Sequence, residues 1–103
     1  MTQMMKVSGR ATKVHTDSQG LTSVVYYDTA VVRFNDTFIE LDTGGWMTVT
    51  TKARMNQASN QYDLGYVVYQ EDFDWFVTYR GHTMQFCRRV TLDRINCSIL
   101  AGV

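Results

Sequence analysis

Proline is absent from this sequence, and cysteine occurs only as Cys87 and Cys97. Without proline, the edges of any sheet lack one of the features that discourage pairing with another chain. Together with the surplus of tyrosines, this predicts a homodimer through a strand edge or an aromatic face. The two cysteines form no Cys-x-x-Cys pair and have no paired histidines beside them, unlike the usual zinc sites. We therefore expect unbonded thiols, buried or idle, with no metal and no cofactor.

The chain also lacks net charge, because ten basic side chains cancel ten acidic ones. No global field then draws it onto nucleic acid or an anionic membrane, which argues against general nucleic-acid coating. A secretory signal needs an apolar run of about seven residues or more, and a membrane span needs about 18, and neither run is found. The sequence predicts one domain over residues 1–103, located in the cytoplasm.

What the sequence does contain is short segments of alternating apolar and polar residues, rich in β-branched and aromatic side chains, separated by turn residues. This pattern is typical of antiparallel hairpins. The predicted hairpins pair Met5–Val14 with Leu21–Tyr27, Thr29–Phe34 with Phe38–Leu41, and Tyr66–Gln70 with Trp75–Arg80. Two further strands are predicted at Thr83–Cys87 and Arg89–Leu92.

Between the second and third hairpins the spacing becomes helical, with Thr51, Met55, Ala58 and Tyr62 on one side. We predict one short helix over about residues 51–61, capped by a threonine and ended by the polar and turn residues of Asn60–Gly65, with Gly65 as the left-handed stop. A lone helix between strands favours an α+β fold, in which an antiparallel sheet of about five to seven strands carries the helix on one face.

Two glycines and a tryptophan precede this helix, and the segment has two interpretations. In the structural one, it is a turn and Trp46 enters the core beside Met55. In the functional one, N–H groups at the helix start bind a phosphate-bearing ligand, with Trp46 available for stacking. Its candidate residues are Gly44, Gly45, Trp46, Thr48, Thr50, Thr51, Lys52 and Arg54. No Walker motif is present, and two cations two positions apart on a helix border opposite sides of the apolar stripe.

The segment Leu41–Gln61, followed by Gly65–Gln70 and Asp74–Val77, resembles a recurrent family of short bacteriophage-encoded proteins. The distinctive pieces are Thr-Gly-Gly-Trp from Thr43 and Thr-Thr-Lys-Ala-Arg-Met-Asn from Thr50. The resemblance covers roughly residues 22–86. It implies an accessory phage protein that works in the cytoplasm of the infected cell, and it supplies no catalytic residue.

The aromatic residues are more numerous than the inward positions of the predicted strands, so some must be exposed or covered by a partner. Together with arginines they suit either a protein interface or stacking on single-stranded bases. Zero net charge favours the protein interface. The candidate interface residues are Tyr69, Trp75, Tyr79 and Arg80.

An enzyme is not predicted, because His15 and His82 are isolated and no nucleophile motif is present. Glu40 and Asp42 share one strand face at a spacing usable for Mg²⁺, but solvated carboxylates explain them more simply. The sequence therefore predicts a protein that binds a host or phage protein and modulates host machinery or defence. The alternative is a module that binds a nucleotide or single-stranded nucleic acid at Gly44–Arg54.

Overall fold

A computed structural model describes residues 11–102 of the chain. Within these residues it contains nine strands and one helix. In chain order they are β1 (Thr12–Thr16), β2 (Thr22–Tyr26), β3 (Thr29–Phe34), β4 (Phe38–Asp42), α1 (Val49–Tyr62), β5 (Tyr66–Glu71), β6 (Asp74–Tyr79), β7 (His82–Phe86), β8 (Arg89–Asp93) and β9 (Ser98–Gly102).

The strands form two sheets in which all neighbours are antiparallel. One has six strands in the order β1-β2-β3-β4-β8-β9, and the other has three in the order β5-β6-β7. The predicted α+β class is confirmed, although the strands divide between two sheets. The chain leaves the larger sheet after β4, forms the helix and the smaller sheet, and returns as β8 beside β4.

The predicted hairpins β3–β4 and β5–β6 are confirmed, as are the strands β7 and β8. The first hairpin is confirmed as β1–β2, although residues 5–10 of its predicted first strand lie outside the described residues. Strand β9 was not predicted. It pairs with β8 through a turn that includes Cys97 at a φ of 53°.

Alternation along the strands sends one face of each sheet into a shared core. In β6, Trp75, Val77 and Tyr79 are buried, whereas the residues between them are half-buried. Helix α1 adds Met55 and Ala58 to the same cluster of buried apolar side chains. The helix face inferred from sequence spacing is therefore confirmed.

Helix α1 begins and ends at different residues from those predicted. Thr48 is its N-cap, and the Thr48 Oγ1 accepts a hydrogen bond of 3.2 Å from the N–H of Thr51. The helix ends within the predicted segment Asn60–Gly65, but its left-handed residue is Asp63, at a φ of 54°, rather than Gly65. The Asp63 N–H bonds to the Ser59 carbonyl, and a short polar side chain tolerates this conformation better than most.

Polar side chains of α1 cover the edge of the smaller sheet. Asn56 donates from Nδ2 to the Val68 carbonyl at 2.9 Å and accepts from the Val68 N–H at 2.8 Å. The Ser59 hydroxyl makes the same paired contact with the backbone of Tyr66, at 2.7 and 3.1 Å. Because Tyr66 and Val68 of the edge strand β5 find backbone partners in α1, this part of the edge is closed to pairing with another molecule.

We expect Asn56→Ala to lower the free energy of unfolding by about 1–3 kcal/mol, because it leaves two backbone groups of β5 without partners. Asn60 provides a matched control, since it lies on the same helix and is exposed. Asn60→Ala should change the free energy by no more than about 0.5 kcal/mol. Urea denaturation of both variants tests this, and equal values would show that the contacts between α1 and β5 contribute nothing.

Candidate functional site

The two glycines after β4 have positive φ values, but only one of them makes a close contact. Gly44 has a φ of 64°, and a Cβ there would lie 2.5 Å from the Thr29 Oγ1. Gly45 has a φ of 87° and open space beside it. Gly44 therefore lets the loop approach the first residue of β3, whereas Gly45 is needed only for its backbone conformation.

The N–H groups of this loop bond to the chain itself. Gly44 donates to the Asp42 Oδ1 at 2.8 Å, and Gly45 donates to the Thr43 Oγ1 at 3.1 Å. The Trp46 N–H donates to the Thr43 carbonyl at 2.9 Å. These amides are already satisfied, so they shape the loop and offer little to an anion.

The expectation that Trp46 enters the core is wrong, because 65% of its surface is exposed. The loop crosses the surface between β4 and α1, which turns the indole outward. The buried tryptophan is instead Trp75, which is 1% exposed. The centre of its ring lies 5.5 Å from the Nζ of Lys52 on the helix.

Trp46 lines an open cleft of about 450 Å³, here called the aromatic cleft. Its other walls come from the end of β2, the following turn and the start of α1. The lining residues are Tyr26, Tyr27, Asp28, Thr29, Trp46 and Thr48. The rings of Tyr26 and Tyr27 are 4.8 Å apart and inclined at 58°, so they form two walls of one corner. Trp46 and Thr48 were predicted from the sequence as ligand-binding residues, but Tyr26 and Tyr27 were not. These tyrosines lie far from the glycine loop in the sequence, and only the fold brings them to the same cleft.

Tyr27 occupies an unusual backbone conformation in the cleft. It lies in the two-residue turn between β2 and β3, with a φ of 55° and 64% of its surface exposed. Bulky residues are rare at positive φ, and such outliers concentrate at functional sites. The turn therefore holds a large aromatic ring outward at a position where glycine or asparagine would fit with less strain.

We expect Tyr27→Asn to change the free energy of unfolding by no more than about 0.5 kcal/mol, since relief of strain offsets the loss of the contact with Tyr26. Tyr27→Val should cost about 1–2 kcal/mol, because a β-branched residue suits this conformation least. Thermal and urea denaturation of the pair test this. A valine variant as stable as the asparagine variant would contradict the backbone assignment.

Lys52 and Arg54 diverge from the start of α1, as their spacing predicted. Lys52 lies over the ring of Trp75 on the smaller sheet. Arg54 donates to the Thr12 Oγ1 at 2.8 Å, and its guanidinium lies 5.7 Å from the centre of the Tyr26 ring. The two cations therefore form no clamp around a single ligand.

The two remaining candidates in the first turn of the helix differ in exposure. The side chain of Thr51 is buried, and its N–H is bound by the N-cap Thr48. Thr50 is half-buried. Of the eight proposed ligand-binding residues, only Trp46 and Thr48 line the aromatic cleft.

A smaller polar cavity of about 300 Å³ adjoins the aromatic cleft and shares Asp28 and Thr29 with it. Its charged walls are largely paired. The Glu40 Oε1 lies 2.8 Å from the Arg33 Nη2, and the Asp42 Oδ1 lies 3.6 Å from the Arg88 Nε. The other residues that line it are Ala30 and Gly44. The two carboxylates considered for Mg²⁺ thus contact arginines, and within residues 11–102 no group of three His, Cys, Asp or Glu residues could hold a metal.

The interface proposed from the sequence needs correction, because Trp75 and Tyr79 are each only 1% exposed and belong to the core. Both point inward on alternate positions of β6 and cannot meet a partner. Tyr69 is half-buried, with its ring stacked 5.5 Å from that of Phe76. Arg80 is exposed, and a hydrogen bond from its side chain to Tyr79 raises the pKa of the guanidinium, which stays charged.

Both cysteines are exposed and free, rather than buried. Cys87 follows β7 with its Sγ 3.9 Å from the Sδ of Met47. Within residues 11–102, no helix is long and apolar enough to span a membrane.

These features define the class of the protein: a small α+β domain whose most distinctive surface is an open cleft of exposed aromatic side chains. The chain belongs to the Kyanoviridae Gp96 protein family, a family of phage proteins, whose sequence model matches residues 1–93. The phage resemblance is thus confirmed, and the match extends on both sides of residues 22–86. No curated protein and no solved structure matches the chain.

Proposed function

We propose that this phage protein acts by binding a host or phage protein through the aromatic cleft, and that it thereby modulates host machinery or defence inside the infected cell. The observation that carries the proposal is the exposure of Tyr27 and Trp46 side by side in a preformed cleft, 64% and 65% respectively. Tyrosine and tryptophan supply large contact areas at low entropic cost, and they dominate the binding energy of many protein interfaces.

The surroundings of the cleft support a protein partner over a polyanion. The chain has no net charge, and Asp28 is the charged residue among those that line the cleft. A phosphate would meet this carboxylate. Lys52 lies over the ring of Trp75, away from the cleft, and Arg54 packs against the wall residue Tyr26 while donating to the Thr12 Oγ1.

A nucleotide or single-stranded nucleic acid is the second candidate, favoured by one observation. Thr48 places the start of α1 at the cleft, beside an indole on which a base could stack. The engaged amides of the glycine loop and the acidic wall make this candidate the weaker one.

Affinity purification from infected cells, with and without nuclease, separates the two candidates. Tagged parent protein should retain a partner after nuclease treatment, and Trp46→Ala and Tyr27→Asn should each lose most of it. Phe73→Asn is the matched control, because Phe73 is also an exposed aromatic at positive φ, on the β5–β6 turn, with 90% exposure and a φ of 72°. A partner that nuclease releases favours the nucleic-acid function, whereas one that both cleft variants retain contradicts binding at the cleft.

A further inference from the structure

We infer that the group which enters the aromatic cleft is a cationic side chain, arginine or lysine, of the partner protein. This inference rests on the proposed function and specifies the chemistry of its docking site. Its basis is the combination of two exposed aromatic rings with one carboxylate in a preformed cleft.

The aromatic walls provide faces that attract cations. An ammonium or guanidinium within about 6 Å of a ring centre is attracted by the negative π face, most strongly for tryptophan. Arg54 already lies 5.7 Å from the centre of the Tyr26 ring. The more exposed rings of Tyr27 and Trp46 are therefore the ones left for a partner.

Asp28 supplies the matching charge. It follows Tyr27 in the turn, is exposed, and lines both the aromatic cleft and the polar cavity. The basic residues of the polar cavity, Arg33 and Arg88, lie beside Glu40 and Asp42. A cation between the rings would gain a carboxylate partner in Asp28, whereas an anion would be repelled by it.

Matched tripeptides test the charge directly. The probes are acetyl-Gly-Arg-Gly-amide, its citrulline analogue, which has a similar shape and no charge, the lysine peptide, and AMP. Binding is followed by NMR through the two tryptophan indole N–H signals, because Trp46 lines the cleft and Trp75 is buried. Trp46→Phe assigns the signals.

We expect the arginine and lysine peptides to shift the Trp46 signal and leave the Trp75 signal in place. The arginine peptide should bind at least about fivefold more tightly than the citrulline peptide. Asp28→Asn should bring this ratio close to one, whereas Phe73→Asn should leave it unchanged.

Three results would overturn the inference: equal affinity for arginine and citrulline, tighter binding of AMP than of either cation, or no shift of the Trp46 signal at millimolar peptide. The proposed function fails independently, through retention of the cellular partner by Trp46→Ala and Tyr27→Asn. Loss of that partner together with equal arginine and citrulline binding would leave the cleft as the docking site and reject the cation.

Discussion

Trp75→Ala should lower the free energy of unfolding by about 3–5 kcal/mol, the cost usual for a fully buried large aromatic side chain. Trp75 is 1% exposed and packs edge-on against Phe86, with ring centres 6.2 Å apart. Trp46→Ala should change the same quantity by no more than about 0.5 kcal/mol, since that indole is 65% exposed.

The two variants form a matched pair, because each replaces one of the two tryptophans of the same protein by alanine. Guanidinium denaturation followed by far-ultraviolet circular dichroism measures both without depending on tryptophan emission. The cellular partner should be lost with Trp46→Ala, which stays folded. A larger loss of stability for Trp46→Ala than for Trp75→Ala would show that the assignment of core and surface tryptophans is reversed.

The hairpins could be predicted from sequence because their signals are local. The β-branched and aromatic residues of Thr29–Phe34 and Phe38–Asp42, with turn residues between them, specify the pairing. Alternation also gives the inward face of Phe38–Asp42. The same holds for Tyr66–Glu71 and Asp74–Tyr79. Neighbouring strands need only a short turn to meet, so the sequence determines them with little competition from other arrangements.

The division into two sheets could not be predicted in this way. The pairing of β4 with β8 joins Asp42 to Arg89 across the whole helix and smaller sheet. The local sequence pattern does not specify such a distant pairing, because several other strands of the chain have a pattern that would also suit pairing with β4. The covered edge of β5 shows the same limit, since the contacts of Asn56 and Ser59 with it need a helix placed by tertiary packing.

The candidate site was recognised only in part. The two glycines identified the loop that holds Trp46 as a candidate site. Trp46 follows a turn and is not part of an alternating strand pattern, so its burial could not be inferred from the sequence. Trp75 has such neighbours in Val77 and Tyr79, and its inward position follows from them. The tyrosines of the cleft join Trp46 because Gly44 approaches Thr29, a contact between distant segments.

Met55→Ala is expected to lower the free energy of unfolding by about 2–5 kcal/mol. Met55 lies in the middle of α1 with no exposed surface, and its backbone carbonyl accepts a hydrogen bond from the buried hydroxyl of Tyr66. Burial raises the pKa of that hydroxyl, so it remains a donor at neutral pH. Removing the thioether chain therefore opens a cavity where the helix meets the smaller sheet.

Met55→Leu, which nearly conserves volume, should lower the free energy of unfolding by less than about 1.5 kcal/mol. Urea denaturation compares the alanine and leucine variants. If alanine cost less than about 0.5 kcal/mol, the helix face assigned to the core would be wrong.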